Sequence, residues 1–123
     1  MIIGIGCDIV QIPRIKKIYD ESGEKFLTRI FSQDELDQFP DISRIEAYIA
    51  KRYAAKEAFS KATGHGIGEV FKFKDIEIFK DLKSGKPYFS NKTLEKVGKN
   101  VIGHLSISDD EPIAIAYVML CSS

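Results

Sequence analysis

The spacing of apolar residues predicts a strand, then helices, then mainly strands. Residues 2–10 are rich in β-branched side chains and predict a buried first strand, interrupted by glycine at positions 4 and 6. Apolar residues at helical spacing predict short helices on either side of Gly23 and a long helix over 45–63. Ser32 and Glu35 form a capping-box pattern, which predicts that another helix of one or two turns starts there.

The second half of the chain has the spacing of strands. Phe71, Phe73, Ile76 and Ile78 suggest one strand, residues 87–89 a short second one, and residues around Leu94 a small helix. A hairpin is predicted over 101–108 and 112–120. We therefore expect an α+β fold, with a mostly antiparallel sheet packed on one long helix and short N-terminal helices.

Length, charge and cysteine content narrow the class of protein. The 123 residues predict a single domain over 1–123. Because 18 basic residues balance 18 acidic ones, the charge gives no support for nucleic-acid binding. No apolar stretch reaches the roughly 20 residues of a membrane span, and no basic lead marks a signal peptide, so we expect a cytoplasmic protein. Cys7 and Cys121 are predicted to be buried, reduced thiols.

Two carboxylates from distant segments carry the candidate chemistry. Asp8 ends the first apolar run, and Glu57 lies inside the long predicted helix. Together they offer hard oxygen ligands of the kind that Mg²⁺ prefers. Lys61 follows Glu57 by one helical turn and shares its face. A metal and a lysine can both neutralise charge on phosphate oxygens, which suits transfer chemistry on a pyrophosphate.

Three segments resemble the holo-acyl-carrier-protein synthase family, the small 4′-phosphopantetheinyl transferases. They are Gly4-Ile-Gly-Cys-Asp-Ile9, Lys56-Glu-Ala-Phe-Ser-Lys-Ala62 and His104-Leu-Ser-Ile-Ser108. The resemblance covers nearly the whole chain in the expected order, and the middle segment is the most specific. It implies the fold of that family and transfer of 4′-phosphopantetheine from coenzyme A to a serine of apo-acyl carrier protein, which releases 3′,5′-ADP and supports fatty acid biosynthesis.

The resemblance also implies roles for individual residues. Asp8 and Glu57 would bind Mg²⁺, with Lys61 as the third catalytic residue. Coenzyme A would contact a larger set, namely Arg52, Lys61, Gly64, His65, Gly66, Pro87 and His104. The family implies a trimer with active sites between subunits. Helix geometry agrees, because Arg52 lies about 180° around the helix from Lys61, so one subunit cannot easily supply both to one pocket.

The carrier protein is expected to dock on the first helices. Basic residues there surround apolar ones, a surface suited to an acidic amphipathic helix. By resemblance, the docking surface comprises Arg14, Lys17, Ile18, Lys25, Phe26 and Arg29.

Other functions remain open on the sequence alone. A non-catalytic nucleotide-binding module would need Arg52 and the glycine-rich segment 64–68 but not the acidic pair. A Mg²⁺-dependent pyrophosphate hydrolase would need a denser glutamate cluster than the chain has. His104, Ser106 and Asp109 invite comparison with a hydrolase triad, but no nucleophile elbow is present. The general base is not identified, and a water relay through Glu57 is our first choice.

Overall fold

The computed structural model describes all residues 1–123, and its elements follow the predicted order. They are β1 (Ile2–Gln11), α1 (Ile12–Ile30), α2 (Gln33–Asp37), α3 (Ile45–Ala62), β2 (Ile78–Lys80), β3 (Pro87–Phe89), α4 (Asn91–Val97), β4 (Val101–Asp110) and β5 (Ile113–Ser122).

The main sheet is antiparallel and has β5 at its centre, between β1 and β4. β2 and β3 form a separate antiparallel pair. α3 packs against β1 and β5, and a core of 23 buried residues fills the space between the layers. The predicted architecture of an antiparallel sheet on one long helix is confirmed.

Two glycines let α3 lie directly on β1. A Cβ added to Gly6 would lie 2.8 Å from the Ala62 amide nitrogen and closer still to the Ala58 carbonyl oxygen. A Cβ on Gly4 would overlap the carbonyl group of Ala62 in the same way. On the facing side of the helix, Ala54, Ala55 and Ala58 are fully buried. Small residues on both partners therefore replace the usual layer of side chains between helix and strand.

The two faces of β1 differ sharply. Val10 faces α3 and is buried, whereas Ile5 and Ile9 on the opposite face are 57% and 62% exposed. Strand pairing aligns this face with side chains of β5 and β4. We call it the outer sheet face, and its exposed apolar residues are Ile3, Ile5, Ile9, Ile102, Ile115 and Tyr117. The prediction that the first strand is buried is therefore wrong for one of its two faces.

Most local predictions are confirmed, and a few are wrong. Gly23 interrupts α1 with a left-handed φ of 50°, and Ser32 and Glu35 form the predicted capping box at α2. The expected strand through Phe73 is instead a 3-10 turn at Phe73–Asp75. The thiols are free, but Cys7 is exposed on the outer sheet face and was predicted to be buried. None of the helices has the length and apolar character needed to span a bilayer.

Candidate active site

The period of β1 places Asp8 on the same face as the two glycines. Gly4, Gly6 and Asp8 alternate along the strand and all face α3, because successive side chains of a strand point to opposite sides. Asp8 is the next residue on this face after Gly6, and its side chain lies beside α3. Its Oδ1 accepts a 2.9 Å hydrogen bond from Lys61 Nζ, which also donates to the Cys7 carbonyl oxygen at 3.2 Å.

Glu57 lies on α3 one turn before Lys61 and close to Asp8. The side chain is partly buried, and burial raises its pKa, with a further contribution from the negative charge of Asp8. The hydrogen bond to Asp8 raises the pKa of Lys61, so its ammonium stays charged. We call Asp8, Glu57 and Lys61 the acidic cluster. The structure brings together all three residues predicted to be catalytic.

The donor set of the acidic cluster fits Mg²⁺ bound together with a substrate. Nowhere does the structure gather three or more His, Cys, Asp or Glu side chains that could enclose a metal. Mg²⁺ commonly takes only one or two carboxylates and completes its octahedron with waters and phosphate oxygens. Asp8 Oδ1 lies 2.9 Å from Lys61 Nζ, so this carboxylate is already in contact with a positive charge. Asp8 and Glu57 are thus suited to an ion that also contacts a phosphate.

The glycine-rich loop follows α3 next to Lys61. The Gly64 amide donates to the Lys61 carbonyl oxygen at 3.0 Å. The Gly66 amide donates to the Ser60 carbonyl oxygen, also at 3.0 Å. Gly64 and Gly66 have φ of 86° and 72°, values that non-glycine residues rarely adopt. His65 lies exposed between them. The loop therefore reverses the chain at the end of the helix that carries the acidic cluster.

Arg52 and Pro87 lie elsewhere, in a cavity of about 400 Å³ on another side of α3. Arg52 is only 8% exposed, its guanidinium lies over the Tyr48 ring at 5.0 Å, and its Nε has no hydrogen-bond partner. Lys80 also lines the cavity and forms no ion pair. The cavity thus offers an unpaired, partly desolvated guanidinium beside an aromatic ring, an arrangement suited to an anion attached to a planar base.

Within this chain, His104 lies neither in the acidic cluster nor in the Arg52 cavity. It lies on β4 opposite Met119 of β5, which is in turn paired with Ile5 of β1. His104 is therefore exposed on the outer sheet face, whereas Asp8 faces α3. One subunit consequently presents three separate places where a ligand could bind: the acidic cluster with its loop, the Arg52 cavity and the histidine on the outer sheet face.

The predicted docking surface is only partly exposed. Arg14, Lys17, Lys25 and Arg29 are exposed, and Ile18 is half-buried against the core. Phe26 is 5% exposed and belongs to the core, so its predicted role as an apolar docking residue is wrong. Amphipathic spacing explains the error, since Phe26 lies on the inward stripe of α1 with Ile30. Burial raises the pKa of Glu57, and the positive charge of Arg14 is close enough to oppose that rise.

A buried ion pair supports the site and was not identified from the sequence. Lys56 Nζ, fully buried, donates to Glu35 Oε1 at 2.6 Å and to the Ile30 carbonyl oxygen at 2.7 Å. Glu35 Oε2 accepts the Ile78 amide at 3.0 Å. Burial lowers the pKa of Lys56 to about 8, although Glu35 opposes the shift. A lysine on the inward side of α3 was the available signal, but its partner comes from the capping box 21 residues earlier.

Comparisons with known proteins agree on one family. The profile of the 4′-phosphopantetheinyl transferase superfamily matches residues 4–117. A holo-[acyl-carrier-protein] synthase of Wolbachia sp. subsp. Drosophila simulans (strain wRi) is 47% identical, over 98% of this chain and 99% of the relative. The solved holo-[acyl-carrier-protein] synthase of Neisseria meningitidis has a TM-score of 0.86 at 40% identity, over 99% of this chain and 100% of the other.

A second solved structure contains a bound ligand. The holo-(acyl-carrier-protein) synthase of Bacillus anthracis str. Ames, in complex with CoA (3′,5′-ADP), has a TM-score of 0.83 at 41% identity. The match covers 100% of this chain and 99% of that one. Fold and sequence therefore agree over the whole length of the protein.

Proposed function

The chain belongs to the 4′-phosphopantetheinyl transferase superfamily, and on that basis we propose that it converts apo-acyl carrier protein to the holo form with coenzyme A as donor. The observation that carries the proposal is the acidic cluster. Two carboxylates and a charged lysine lie together, next to a glycine loop, within the segments that carry the resemblance to the family.

The reaction moves the 4′-phosphopantetheine group to a serine hydroxyl. The serine oxygen attacks the β-phosphorus of the pyrophosphate, the bond from that phosphorus to the bridging oxygen breaks, and 3′,5′-ADP leaves. Asp8 and Glu57 would hold Mg²⁺, which supplies positive charge to the pyrophosphate oxygens when bound. Lys61 places a second positive charge beside the leaving phosphate.

Glu57 is the candidate acceptor for the proton of the serine. Glu57 is partly buried beside Asp8, and burial, together with the negative charge of Asp8, raises its pKa in the chain without a metal. We assign the transfer to a relay through one water, because the carboxylate also serves the metal. Lys61 cannot take this role, since its raised pKa keeps it protonated.

We place the nucleotide half of coenzyme A in the Arg52 cavity of a neighbouring subunit. The unpaired guanidinium of Arg52 and the nearby Lys80 suit its phosphates, and the rings of Tyr48 and Pro87 suit its base. Gly64, His65 and Gly66 would approach the pyrophosphate from the subunit that supplies Lys61. His104 would reach the same ligand from the outer sheet face.

Because the residues proposed to bind coenzyme A come from two subunits, the active site requires an oligomer. We propose a trimer with three sites between subunits. The outer sheet face supports the assembly, because Ile5 and Ile9 are exposed in a row that continues onto Ile115. Isolated soluble chains rarely expose such a continuous apolar patch. After subunit exchange, mixing inactive Arg52→Ala with inactive Lys61→Ala chains should restore part of the activity. A fully active monomer at micromolar concentration would refute the proposal.

The carrier would dock on the basic side of α1. Arg14, Lys17, Lys25 and Arg29 provide exposed positive charge, with Ile18 as the partly accessible apolar residue. Arg14 also reaches the acidic cluster, so a carrier bound there could present its serine to Glu57. We further propose that the enzyme acts in the cytoplasm and supports fatty acid biosynthesis.

The direct test measures the mass of the carrier. The protein is incubated with coenzyme A, Mg²⁺ and apo-carrier, and the expected product is carrier heavier by one phosphopantetheine. An apo-carrier whose acceptor serine is replaced by alanine is the matched control and should gain no mass. Fragments of coenzyme A with unchanged carrier would indicate a hydrolase instead. Binding of coenzyme A with neither product would indicate a non-catalytic module.

A further inference from the structure

The Arg52 cavity contains a buried carboxylate as well as a buried guanidinium. Glu35 and Arg52 both line it, and they are 3% and 8% exposed. A buried charge is ordinarily paired with an opposite one, because removing it from water is otherwise costly. Arg52 nevertheless forms no ion pair, and its Nε has no hydrogen-bond partner. Two opposite charges therefore share the cavity without pairing with each other.

The carboxylate of Glu35 is already occupied by Lys56. Lys56 Nζ donates to Glu35 Oε1 at 2.6 Å. The other donors to this carboxylate are two backbone amides, Ser32 N to Oε1 and Ile78 N to Oε2, each at 3.0 Å. The amides fix the direction of the carboxylate but bring no net charge. Lys56 is thus the one ion-pair partner of Glu35.

Lys56 and Arg52 are the two cations of α3 that could serve this carboxylate. They are spaced by four residues, so their side chains lie on one helix face on adjacent turns. The Lys56 ammonium is held by two further contacts, a 2.7 Å hydrogen bond to the Ile30 carbonyl oxygen and the ring of Phe31, whose centroid lies 4.9 Å away. These contacts favour Lys56 as the partner of Glu35, and Arg52 is left unpaired.

The second acidic side chain of the cavity is also matched by a lysine. Asp109 Oδ1 lies 3.5 Å from Lys51 Nζ at the exposed rim. Both carboxylates that line the cavity therefore have a lysine partner, whereas Arg52 and Lys80 have no acidic partner. The cavity as a whole presents uncompensated positive charge to an anion.

We propose that Lys56 is a positioning residue for the donor substrate: by holding the Glu35 carboxylate, it keeps the Arg52 guanidinium available for a phosphate of coenzyme A. The inference rests on the proposed function, which places the nucleotide half of coenzyme A in this cavity. Without Lys56, Arg52 would compensate the buried charge of Glu35, and a phosphate would have to displace that carboxylate. The apparent affinity then falls in proportion to the fraction of chains in which Arg52 is free.

The first test measures equilibrium binding of 3′,5′-ADP by calorimetry, without carrier protein. Lys56→Met removes the ammonium and retains a long side chain. Its Kd should rise at least about tenfold, as expected if Arg52 is free in a tenth of the chains or fewer. Leu120→Ala is the control for lost stability, because Leu120 is fully buried on β5 and does not line the cavity. The control should bind 3′,5′-ADP within twofold of wild type.

A second carboxylate variant distinguishes competition from disturbed packing. In Lys56→Met/Glu35→Gln, an amide replaces the carboxylate that would otherwise capture Arg52, so Kd should return to within threefold of wild type. In an Arg52→Ala background, Lys56→Met should weaken binding by less than twofold further, because both changes act through the same guanidinium. If Lys56→Met does not fold, Lys56→Gln replaces it and should show the same rise, since an amide also leaves the charge of Glu35 uncompensated.

Steady-state kinetics provide an independent readout. KM for coenzyme A should rise at least about tenfold in Lys56→Met, with KM for the carrier within twofold of wild type.

Two results would overturn the role of Lys56 and leave the proposed function standing. One is wild-type affinity for 3′,5′-ADP in the folded Lys56 variant, and the other is weakened binding that Glu35→Gln does not restore. If the wild-type chain neither binds 3′,5′-ADP nor makes holo-carrier, the proposed function itself fails.

Discussion

Replacing Gly6 with alanine should push α3 away from β1 and weaken both stability and catalysis. The new Cβ would lie 2.8 Å from the Ala62 nitrogen and closer to the Ala58 oxygen, whereas ordinary contacts begin at about 3.4 Å. Because both obstacles are backbone atoms, no side-chain rotation relieves the overlap. The helix must therefore retreat by roughly 1 Å or more at this point.

The magnitude follows from two opposing effects. Overpacking of a closely packed layer costs about 1–3 kcal/mol, and a rigid backbone obstacle belongs at the upper end. The alanine also restricts the unfolded chain, which offsets about 0.4–1 kcal/mol. We expect a net loss of about 2–2.5 kcal/mol, or roughly 8–10 °C in the unfolding temperature. Moving Glu57 by about 1 Å relative to Asp8 should lower kcat about 100-fold.

The assay compares Gly6→Ala with Gly98→Ala. Gly98 has an extended backbone, and a Cβ there would meet only Val101 Cγ2, at an ordinary 3.7 Å. The control therefore carries the same change in the unfolded chain without the clash. Urea denaturation and carrier modification are measured on both at equal protein concentration. Stabilities within about 0.5 kcal/mol of each other, with activities within threefold, would refute the close approach of α3 to β1.

Three further predictions concern the charged groups. Asp8→Ala and Glu57→Gln should each lower kcat/KM at least about 100-fold, with the double variant far from additive because both act through one ion; a single variant within tenfold of wild type would contradict the metal assignment. Lys56→Met should cost about 3–5 kcal/mol by urea denaturation, and adding Glu35→Gln should recover part of this by removing the unpaired charge. Burial lowers the pKa of Lys56 in the folded chain to about 8, below the ordinary lysine value of 10.5. Between those values the unfolded chain binds more protons, so wild-type stability should rise with pH there relative to that double variant. Arg14→Glu should raise the carrier KM and reduce its salt sensitivity, because less attraction remains for salt to screen, while the coenzyme A KM stays within twofold; an equal loss for both substrates would place Arg14 in the nucleotide site.

Local signals in the sequence were sufficient for most secondary structure and for the acidic cluster. The hairpin of β4 and β5 follows from period-two alternation, and α3 from its alanine-rich helical spacing. The cap at Ser32 and the break at Gly23 depend only on residues close in the chain, so they could be predicted at once. Glu57 and Lys61 share a helix face by spacing alone, and the family motifs added Asp8.

Tertiary structure decided which side chains are buried and what each of them contacts. Gly4 and Gly6 looked like interruptions of a strand, yet they are the positions where another backbone lies too close for a Cβ. Phe26 looked available for docking, but it fills the core. Pairing distant segments also produced the Lys56–Glu35 ion pair and the separation of His104 from Asp8. These features depend on which elements meet across the fold, and short-range periodicity does not contain that information.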